Sequence, residues 1–463
     1  GPTAPSVEPD LEKELPNDMM ILEALAATGL RSIRYWNEIG GEHIDKLVVN
    51  DLEPAAVEAI RRNIEFNGLP LDRVVPHLGN AVHVMQQHPK HFHVVDLDPY
   101  GTAAPFMDGA VQSVRDGGLL CVTCTDAAVL CGSYAEVAYA NYGSFSLRNS
   151  SYTHEAGLRI ILRALESHAI RHKRYIVPLV SLSIDFYMRV FVRVFSSADE
   201  MKKSATKTSH VFQCVRCDSF YLQPLATPAA AGSSKSPSLA RVGVPHQCPT
   251  CDGHFRMGGP IWHNPFYDPE FVQELLTELE THADDYGASD RVGALLNVLT
   301  SELPDSPLFM DMSHMCRVVH SPVPPKIKAI SAIRNAGFKC SLSHTNPLAL
   351  KTDAPIEFLW DIIRTWAKTQ DIRFRSDGDP ARVILGKEPT HPIDLKIRQD
   401  IVQEQKDTLA GSTFKRFPDN PQANWGPGSR AHAGHKRKVS DAGEQEATTR
   451  DTKKGKSEED KEE

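Results

Sequence analysis

Long apolar segments, an excess of positive charge and an even set of cysteines are all missing from this 463-residue sequence. No stretch approaches the roughly 20 apolar residues that cross a membrane, and the N-terminus lacks the basic and apolar segments of a secretory signal. The formal net charge is −8, so bulk positive charge does not attract nucleic acid. The nine cysteines are odd in number and unevenly spread, which argues against a disulfide framework. We therefore expect a soluble, non-secreted protein in a reducing compartment.

Local basic clusters must supply any contact with nucleic acid. The candidates are Arg159, Arg163, Arg171, Lys173 and Arg174, and then Lys326, Lys328, Arg334 and Lys339. Solvated helix faces of soluble proteins carry such clusters as well, so the composition leaves both interpretations open.

The length is about three times the ~150 residues of one domain and predicts two or three domains. Within residues 1–195, apolar runs alternate with helical patterns, as a mostly parallel sheet with crossover helices requires. We expect strands at 20–25, 46–50, 74–77, 92–97 and 118–125, and helices at 54–66 and 153–171. Residues 175–184 and 186–195 are expected to add an antiparallel pair at the end of the sheet. The predicted fold class is α/β.

The composition changes at residue 196, and residues 196–410 are predicted to form a second domain. An Ala-, Ser-, Pro- and Gly-rich stretch at 226–244 is expected to be a flexible excursion. Helical patterns at 268–282, 290–302 and 324–336 precede an extended segment at 339–343, an order compatible with a winged-helix-like unit. Residues 411–463 are too polar to bury a core and are expected to form a disordered tail. Within it, His435-Lys436-Arg437-Lys438-Val439 matches a nuclear import signal, a pattern that also recurs by chance.

A loop after the first predicted strand is the first candidate for a ligand site. It reads Ala-Ala-Thr-Gly-Leu-Arg at residues 26–31, and a ligand could approach backbone N–H groups beside Gly29. With a single glycine, an ordinary strand-to-helix turn explains the loop equally well. Asp51 ends the second strand, where a carboxylate can bind both ribose hydroxyls, although it could instead cap the next helix. Together the two features suggest a cofactor that contains a nucleoside.

The end of the fourth predicted strand carries the strongest catalytic signal. Residues 96–101 read Asp-Leu-Asp-Pro-Tyr-Gly, which is also a composition typical of a type I turn. Two acids at the carboxyl end of an apolar strand, beside the predicted cofactor cleft, favour chemistry. Asp98 and the carbonyl group of Pro99 could hold an exocyclic base amine, Asp98 could take its proton, and Tyr100 could stack on the base. The turn therefore predicts methyl transfer to the amine of a nucleobase.

Two Cys-x-x-Cys pairs form a separate signal, and they are Cys214 with Cys217 and Cys248 with Cys251. Each pair can chelate one side of a tetrahedral ion, so together they predict a structural zinc site with four thiolates. The gap between the pairs is longer than in most zinc ribbons, but the low-complexity stretch can loop out. By contrast, Cys121 and Cys124 lie in a predicted strand and are expected to be core residues.

Seven segments of the chain share their order and spacing with one known family. They are residues 26–34, 96–101, 118–126, 259–262 (Gly-Pro-Ile-Trp), 302–305 (Glu-Leu-Pro-Asp), 351–355 (Lys-Thr-Asp-Ala-Pro) and 424–427 (Asn-Trp-Gly-Pro). In these segments the chain resembles the eukaryotic tRNA (guanine-N2)-dimethyltransferases that modify guanosine at position 26. The resemblance extends from about residue 20 to residue 427.

The resemblance implies a class I, Rossmann-like methyltransferase domain with S-adenosyl-L-methionine as methyl donor. It also implies a C-terminal α+β domain with a zinc-binding insertion, which helps to hold the tRNA. By motif match, Arg31 and Asp51 would contact the cofactor together with the Gly29 loop. Asn80 and Ala81 would lie near the adenine of the cofactor, and Asp98 would be catalytic. We expect no membrane and no obligate protein partner, and a location in the nucleus, the mitochondria or both.

The sequence departs from the family pattern in two places. Most relatives have Asp where this chain has Asn80, which keeps an acceptor oxygen but loses the charge. The N-terminal family segment, with an Asn-Arg-Asp motif that adds an arginine to the cofactor site, is not found before residue 20, so we expect that segment to be missing.

Two further functions stay open beside the dimethyltransferase. The first is a catalytically silent protein that binds or folds tRNA with the same fold, which the two departures motivate. The intact turn at Asp98 argues against it, because a binding protein does not need that turn. The second is an enzyme that uses the turn on another position or on adenine in DNA, and this interpretation does not account for the C-terminal motifs.

Overall fold

The computed structural model of the protein describes residues 18–230 and 236–403. The predictions for the N-terminal segment, for the tail at 411–463 with its import-signal candidate at 435–439, and for the family motif at 424–427 lie outside these residues. Among the described helices, none has both the length and the apolar character that a bilayer crossing requires.

A seven-stranded sheet organises the first half of the chain. Its strands are β1 (Met19–Glu23), β2 (Ile44–Asp51), β3 (Val74–Leu78), β4 (Phe92–Leu97), β5 (Val114–Cys124), β6 (Arg174–Ile184) and β7 (Tyr187–Ser196). The helices of this half are α1 (Leu30–Ile39), α2 (Pro54–Phe66), α3 (Ala81–Gln87), α4 (Ala104–Ser113), α5 (Ala127–Leu130), α6 (Ala135–Tyr142) and α7 (Thr153–Arg171).

The strand order is β3-β2-β1-β4-β5-β7-β6, with β1 to β5 parallel and β7 antiparallel to both β5 and β6. The α/β fold class and the antiparallel pair at the end of the sheet are therefore confirmed. The chain steps outward from β1 through β3 and then returns to β4 on the other side of β1. In open α/β sheets, ligands bind at the carboxyl ends of the strands beside such a reversal.

The central strands are almost continuous apolar runs because helices cover both faces of the sheet. Leu22 in β1, Val95 in β4 and Leu120 in β5 have no exposed surface. Cys121 and Cys124 are also buried, as expected for core residues. This apolar frame carries the predicted site residues Asp51 and Asp98 where its strands end.

The second half of the chain contains shorter elements. Its helices are α8 (Ala198–Lys202), α9 (Pro269–Thr281), α10 (Ser289–Ser301), α11 (Met312–Val318), α12 (Lys326–Asn335), α13 (Ile356–Ala367) and α14 (Pro380–Gly386). Its strands are β8 (Thr208–Cys214), β9 (Phe220–Pro224), β10 (Ala226–Thr227), β11 (Ser238–Leu239), β12 (Phe255–Trp262), β13 (Met310–Asp311), β14 (Cys340–Ser343) and β15 (Asn346–Thr352). They form the sheets β12-β8-β9 and β13-β15-β14 and the pair β10-β11.

The described part of the predicted excursion at 226–244 includes the short antiparallel pair β10-β11, so this stretch is not wholly irregular. Helix α12 is followed by the β14-β15 hairpin, which is the predicted order, and the winged-helix-like identity of this unit stays a prediction. The apolar core of the large sheet continues into α9 and α10 through Leu276 and Leu299. The predicted domain boundary at residue 195 also stays a prediction, because the elements on both sides share this core.

A buried network of charges joins α7 to the second half. The Lys351 ammonium lies 3.0 Å from the Glu155 carboxylate and 2.8 Å from that of Glu302, and all three side chains are buried. Glu302 also accepts hydrogen bonds from the backbone and the Nδ1 atom of His344, both at 3.0 Å. Although burial opposes ionisation, the charges of Lys351 and His344 lower the pKa of Glu302. The family motifs at 302–305 and 351–355 thus meet in one buried ion-pair network.

Replacing Lys351 by Met is expected to destabilise the protein by about 3–5 kcal/mol, because two buried carboxylates would lose their shared cation. The free energy of unfolding from urea denaturation measures this loss. The matched control is Lys368→Met, which breaks an exposed ion pair with Glu388 and is expected to cost less than about 1 kcal/mol. Equal effects of the two substitutions on the free energy of unfolding would contradict the stabilising role of this buried ion-pair network.

Candidate active site and cysteine cluster

The crevice at the carboxyl ends of β1 to β4 collects most of the predicted site residues. After β1, the loop 24–29 runs back beside the end of β2, where Asp51 accepts hydrogen bonds from the backbone N–H groups of Ala27 at 2.8 Å and Glu53 at 3.0 Å. Each oxygen of the Asp51 carboxylate thus has one backbone partner and keeps a further lone pair. Asp51 does not cap α2, whose N-cap residue is Glu53.

Gly29 has a left-handed backbone, with φ of 73°, that allows the loop to turn into α1. A Cβ atom at this position would lie 3.3 Å from Cγ2 of Ile60 in α2 and 3.5 Å from Val49 in β2. The missing side chain therefore serves the turn and the packing of the loop on α2, because the Cβ direction points into the protein rather than into the crevice.

Asn50, which is fully buried, connects the loops that follow β1 and β3 at this edge. Its amide donates hydrogen bonds to the carbonyl oxygens of Ala24 at 2.9 Å and Gly79 at 3.0 Å, while its oxygen lies 2.7 Å from Nδ1 of His77. Sequence reasoning assigned no role to Asn50. An amide directly before the candidate ribose ligand, at the end of an apolar strand, is the signal that could have identified it.

The predicted adenine side of the crevice has both polar and apolar groups. Asn80 is exposed and its amide oxygen accepts a hydrogen bond from the backbone of Val82 at 2.9 Å, which caps α3, while Ala81 is buried. Leu52 and Leu78 flank this place with 62% and 54% of their surface exposed, and Leu30 at the start of α1 is 65% exposed. Asp51 and Leu78 are paired in the register of β2 and β3. An adenosine group would cover these apolar surfaces, so the residues present fit such a cofactor.

Asp98 forms an ion pair with Arg31 at the end of β4. The Arg31 guanidinium also lies 3.5 Å from the buried carboxylate of Asp96, which places it between the two acids of the predicted catalytic turn. Side-chain exposure is 32% for Arg31 and 29% for Asp98, so both reach the crevice. The structure brings together the predicted cofactor residue Arg31 and the predicted catalytic residue Asp98.

Asp96 has the opposite environment, because it is buried and fully paired. Arg189 in β7 donates to its carboxylate at 2.7 Å, and the Tyr35 hydroxyl in α1 donates to the same oxygen. Burial and the neighbouring Asp96 charge raise the pKa of Tyr35 well above its usual range. Arg189 and Tyr35 were missed by sequence reasoning. Arginine at two positions of the mainly apolar β7, one of them Arg189, was the available signal for the first of them.

Glu23, the last residue of β1, lies beside Asp96 in the strand register and is almost completely buried. Its carboxylate accepts hydrogen bonds from the backbone N–H of Ser32 at 3.0 Å and from the Ser32 hydroxyl. Burial raises the pKa of Glu23 to about 7, against the opposing effects of the Ser32 hydrogen bond and the Arg31 charge. A second buried acid therefore lies beneath the predicted catalytic turn.

Because the pKa of Glu23 is raised, we expect the free energy of unfolding of the protein to depend on pH. Between its unfolded value of 4.5 and about 7, the folded state binds more protons at this site than the unfolded state, so the free energy of unfolding falls as pH rises through this window. Across this window the free energy of unfolding is expected to fall by roughly 1–3 kcal/mol, and Glu23→Gln is expected to remove this pH dependence. Urea denaturation of both proteins at pH 5, 6, 7 and 8 tests it. Glu65→Gln on the exposed face of α2 is the control, and an unchanged slope in Glu23→Gln would refute the assignment.

The turn after β4 is anchored to Thr125 by two hydrogen bonds. The backbone N–H of Gly101 donates to the Thr125 hydroxyl at 2.7 Å, and the N–H of Thr125 donates to the Gly101 carbonyl at 2.9 Å. Pro99 is buried, whereas the Tyr100 side chain is completely exposed. The turn thus places the fully exposed aromatic ring of Tyr100 close in sequence to the Asp98 carboxylate.

The first predicted basic cluster is divided between exposed residues, such as Arg171 and Lys173, and buried ones. Arg159 and Arg174 are buried, and their guanidinium groups donate to backbone carbonyl oxygens, among them those of Trp262 at 3.0 Å and Val114 at 2.7 Å. Its interpretation as a nucleic-acid patch is wrong for these two residues. In the second cluster, Lys326 and Lys339 are exposed and Lys328 and Arg334 are half-buried.

The four predicted metal ligands come together away from the crevice. The Sγ atoms of Cys214 and Cys251 are 3.3 Å apart, those of Cys217 and Cys248 are 3.6 Å apart, and all four lie within 4.8 Å of one another and are buried. A tetrahedral zinc ion with Zn–S bonds of ~2.3 Å separates its sulfur atoms by about 3.8 Å. The sulfur positions therefore fit a zinc ion.

Each cysteine pair has the same local geometry. The backbone N–H of Cys214 donates to the carbonyl of Ser219, and that of Cys248 donates to the carbonyl of Gly253, both at 2.8 Å. The residue after each pair, Asp218 or Asp252, has a positive φ of 63° or 57°. Two matching turns thus point their sulfur atoms at one centre. Hydrogen bonds from neighbouring thiols lower the pKa of Cys214 to about 7.

Taken together, the strand order, the crevice and the acidic turn define a Rossmann-like methyltransferase. Residues 8–364 match the family described as N2,N2-dimethylguanosine tRNA methyltransferase. A relative from Arabidopsis thaliana, tRNA (guanine(26)-N(2))-dimethyltransferase 2, is 44% identical over 93% of this chain and 73% of its own length. The relative from Saccharomyces cerevisiae, named as a mitochondrial tRNA (guanine(26)-N(2))-dimethyltransferase, is 36% identical over 89% of this chain and 76% of its own length. The chain belongs to the N2,N2-dimethylguanosine tRNA methyltransferase family.

A solved structure supports the fold over most of the chain. Trm1 from Pyrococcus horikoshii, solved as a complex with S-adenosyl-L-methionine, has a TM-score of 0.63 and 26% sequence identity. The match covers 74% of this chain and 87% of that one.

Proposed function

We propose that this protein transfers methyl groups from S-adenosyl-L-methionine to the exocyclic N2 amine of guanosine 26 in tRNA, giving the monomethylated and dimethylated products. The observation that carries this proposal is the turn at residues 98–101, held at the carboxyl end of β4 with the Asp98 carboxylate exposed to the crevice and paired with Arg31. The family and the activities that the relatives are named for agree with it.

The residues of the turn have separate roles in this reaction. The lone pair of a guanine amine is delocalised into the ring, so acceptors that hold its N–H groups favour a more reactive, tetrahedral nitrogen. Asp98 and the carbonyl oxygen of Pro99 are these acceptors, and Asp98 takes the proton that the nitrogen loses. Tyr100 covers one face of the extruded base. Arg31 holds the Asp98 carboxylate in position through their ion pair.

The cofactor, when bound, supplies the reactive methyl group. We assign its ribose to Asp51 through the remaining lone pairs of that carboxylate, and its adenine to the side of the crevice formed by Leu52, Leu78, Asn80 and Ala81. The Gly29 loop and Arg31 would hold the methionine part. Their main contribution is to hold the methyl group in line with the amine.

We also propose that the four-cysteine cluster holds a structural zinc ion, because four thiolates leave no ligand position open for catalysis. The second half of the chain, including the basic residues of α12, is proposed to hold the tRNA. A nuclear or mitochondrial location would agree with the mitochondrial name of the yeast relative and with the import-signal candidate at 435–439.

The direct test is incubation of the protein with labelled S-adenosyl-L-methionine and an unmodified tRNA transcript, followed by nucleoside mass spectrometry. We expect N2-methylated guanosine, and we expect it to disappear when guanosine 26 is replaced by adenosine. A transcript that binds tightly but receives no methyl group would favour a silent binding protein instead.

A further inference from the structure

Two aromatic side chains stack on each other at the surface beside the crevice. The rings of Tyr139 in α6 and Phe145 have centroids 4.6 Å apart and an interplanar angle of 15°. Tyr139 is 54% exposed and Phe145 is 42% exposed, so the pair leaves apolar ring surface open to solvent. Neither residue belongs to the catalytic turn or to the cofactor side of the crevice.

The backbone holds this pair firmly although the rings lie at the surface. Phe145 and Gly259 exchange two backbone hydrogen bonds, with distances of 2.9 and 2.8 Å. The Ser144 hydroxyl donates to the carbonyl of Pro260 at 2.7 Å. The backbone of Phe145 is therefore fixed to the family motif at 259–262, to which the proposed reaction assigns no other role. Rings fixed in this way lose little conformational entropy when they bind a flat partner.

The pair lies close to the catalytic turn. Tyr142 follows Tyr139 by three residues on α6, and its hydroxyl contacts the Thr102 hydroxyl at 2.6 Å and the Asp126 carboxylate at 2.9 Å. Thr102 is two residues beyond Tyr100 in the chain. Through Tyr142, the helix that carries Tyr139 is therefore bonded to the segment that directly follows the proposed catalytic turn.

Positive charge accompanies the aromatic pair. Arg148, three residues after Phe145, is exposed, and within the described part of the chain its side chain has neither an ion-pair nor a hydrogen-bond partner. The Arg256 guanidinium bonds to the backbone carbonyl of Arg148. An aromatic platform with adjacent arginine is the arrangement that binds splayed bases and their phosphates.

We propose that Tyr139 and Phe145 form a second stacking platform, which binds a base next to the target guanosine while Arg148 contacts its phosphate. This inference rests on the proposed function, because it takes tRNA as the ligand. It adds a step to substrate recognition: the platform captures the strand beside the target and helps to keep the target base out of the tRNA stack.

The test uses tRNA transcripts that carry 2-aminopurine on either side of guanosine 26, since stacking quenches its fluorescence. We expect the wild-type protein to quench one of the two labelled positions. In Tyr139→Leu combined with Phe145→Leu, this quenching should be lost and the dissociation constant of the tRNA should rise by roughly tenfold. Tyr139→Phe should retain both properties. Arg148→Gln should weaken binding and reduce its salt dependence without removing the quenching.

Phe66→Leu is the matched control. Phe66 is 88% exposed at the C-terminal end of α2, so it lies at the opposite edge of the sheet and its substitution should change neither readout. Normal quenching and affinity in the double variant with an unchanged melting temperature would overturn the proposal, and would leave the pair as a site for another macromolecule. Absence of methylation by the wild-type protein would refute the proposed function instead, since binding and quenching are read without turnover.

Discussion

The Asp98→Asn protein is expected to lose methyl transfer by a factor of about 10²–10⁴ in kcat while its affinity for tRNA stays within about twofold. The amide keeps the shape of the carboxylate and one acceptor oxygen, but it cannot take the proton that the guanine amine releases. The fold should persist, because Asp98 is partly exposed and Arg31 retains Asp96 as a partner at 3.5 Å. Single-turnover methylation and tRNA binding, measured separately, distinguish a chemical defect from a binding defect.

Asp72→Asn provides the matched control for this experiment. Asp72 is exposed in the turn before β3, at the edge of the sheet opposite the crevice, so its substitution should leave methylation intact. Unchanged single-turnover methylation in Asp98→Asn would exclude Asp98 as the proton acceptor. A parallel loss of tRNA affinity would instead identify Asp98 as a binding residue.

The strands and helices that carry the candidate active site were predicted well from the sequence. Hydrophobic periodicity indicates these elements, and residues such as Pro and Gly mark where helices begin and end. Helix α2 begins at Pro54 and ends at Phe66, and strand β4 spans Phe92–Leu97, both as predicted. Apolar runs indicate buried parallel strands, and their order brings polar residues such as Asp51 and Asp98 to one edge. The approximate position of each site residue therefore follows from the sequence.

The pairing of side chains within the site could not be predicted in the same way. Arg189 lies 93 positions after Asp96 in the sequence, and only the antiparallel return of β7 beside β5 brings the two together. Similarly, the sequence marks Arg31 as a cofactor residue but does not show that it also pairs with Asp98. Contacts that depend on strand order across the sheet carry no local signal, whereas the two cysteine pairs do, because a metal requires a fixed spacing.

The cysteine cluster gives the second large expected effect. Cys217→Ser should lower the zinc content to well below one ion per chain and unfold the module around β8, β9 and β12, since binding of structural zinc contributes on the order of 10 kcal/mol in small zinc domains. The damage should spread beyond the module. The four cysteines share an apolar core with α11 and α13, and Ser219 accepts a hydrogen bond from the buried indole of Trp360 at 2.7 Å.

Elemental analysis together with thermal unfolding measures both consequences, and a chelator added to the wild-type protein should reproduce the variant. Cys131→Ser is the control, because Cys131 lies outside the cluster, next to α5, and should change neither zinc content nor melting temperature by much. A wild-type protein that contains no metal and melts at the same temperature with and without chelator would refute the zinc site. Because Arg159 in α7 donates to the carbonyl of Trp262 at the end of β12, loss of the module should also weaken the methyltransferase sheet, so methylation should fall together with the zinc content.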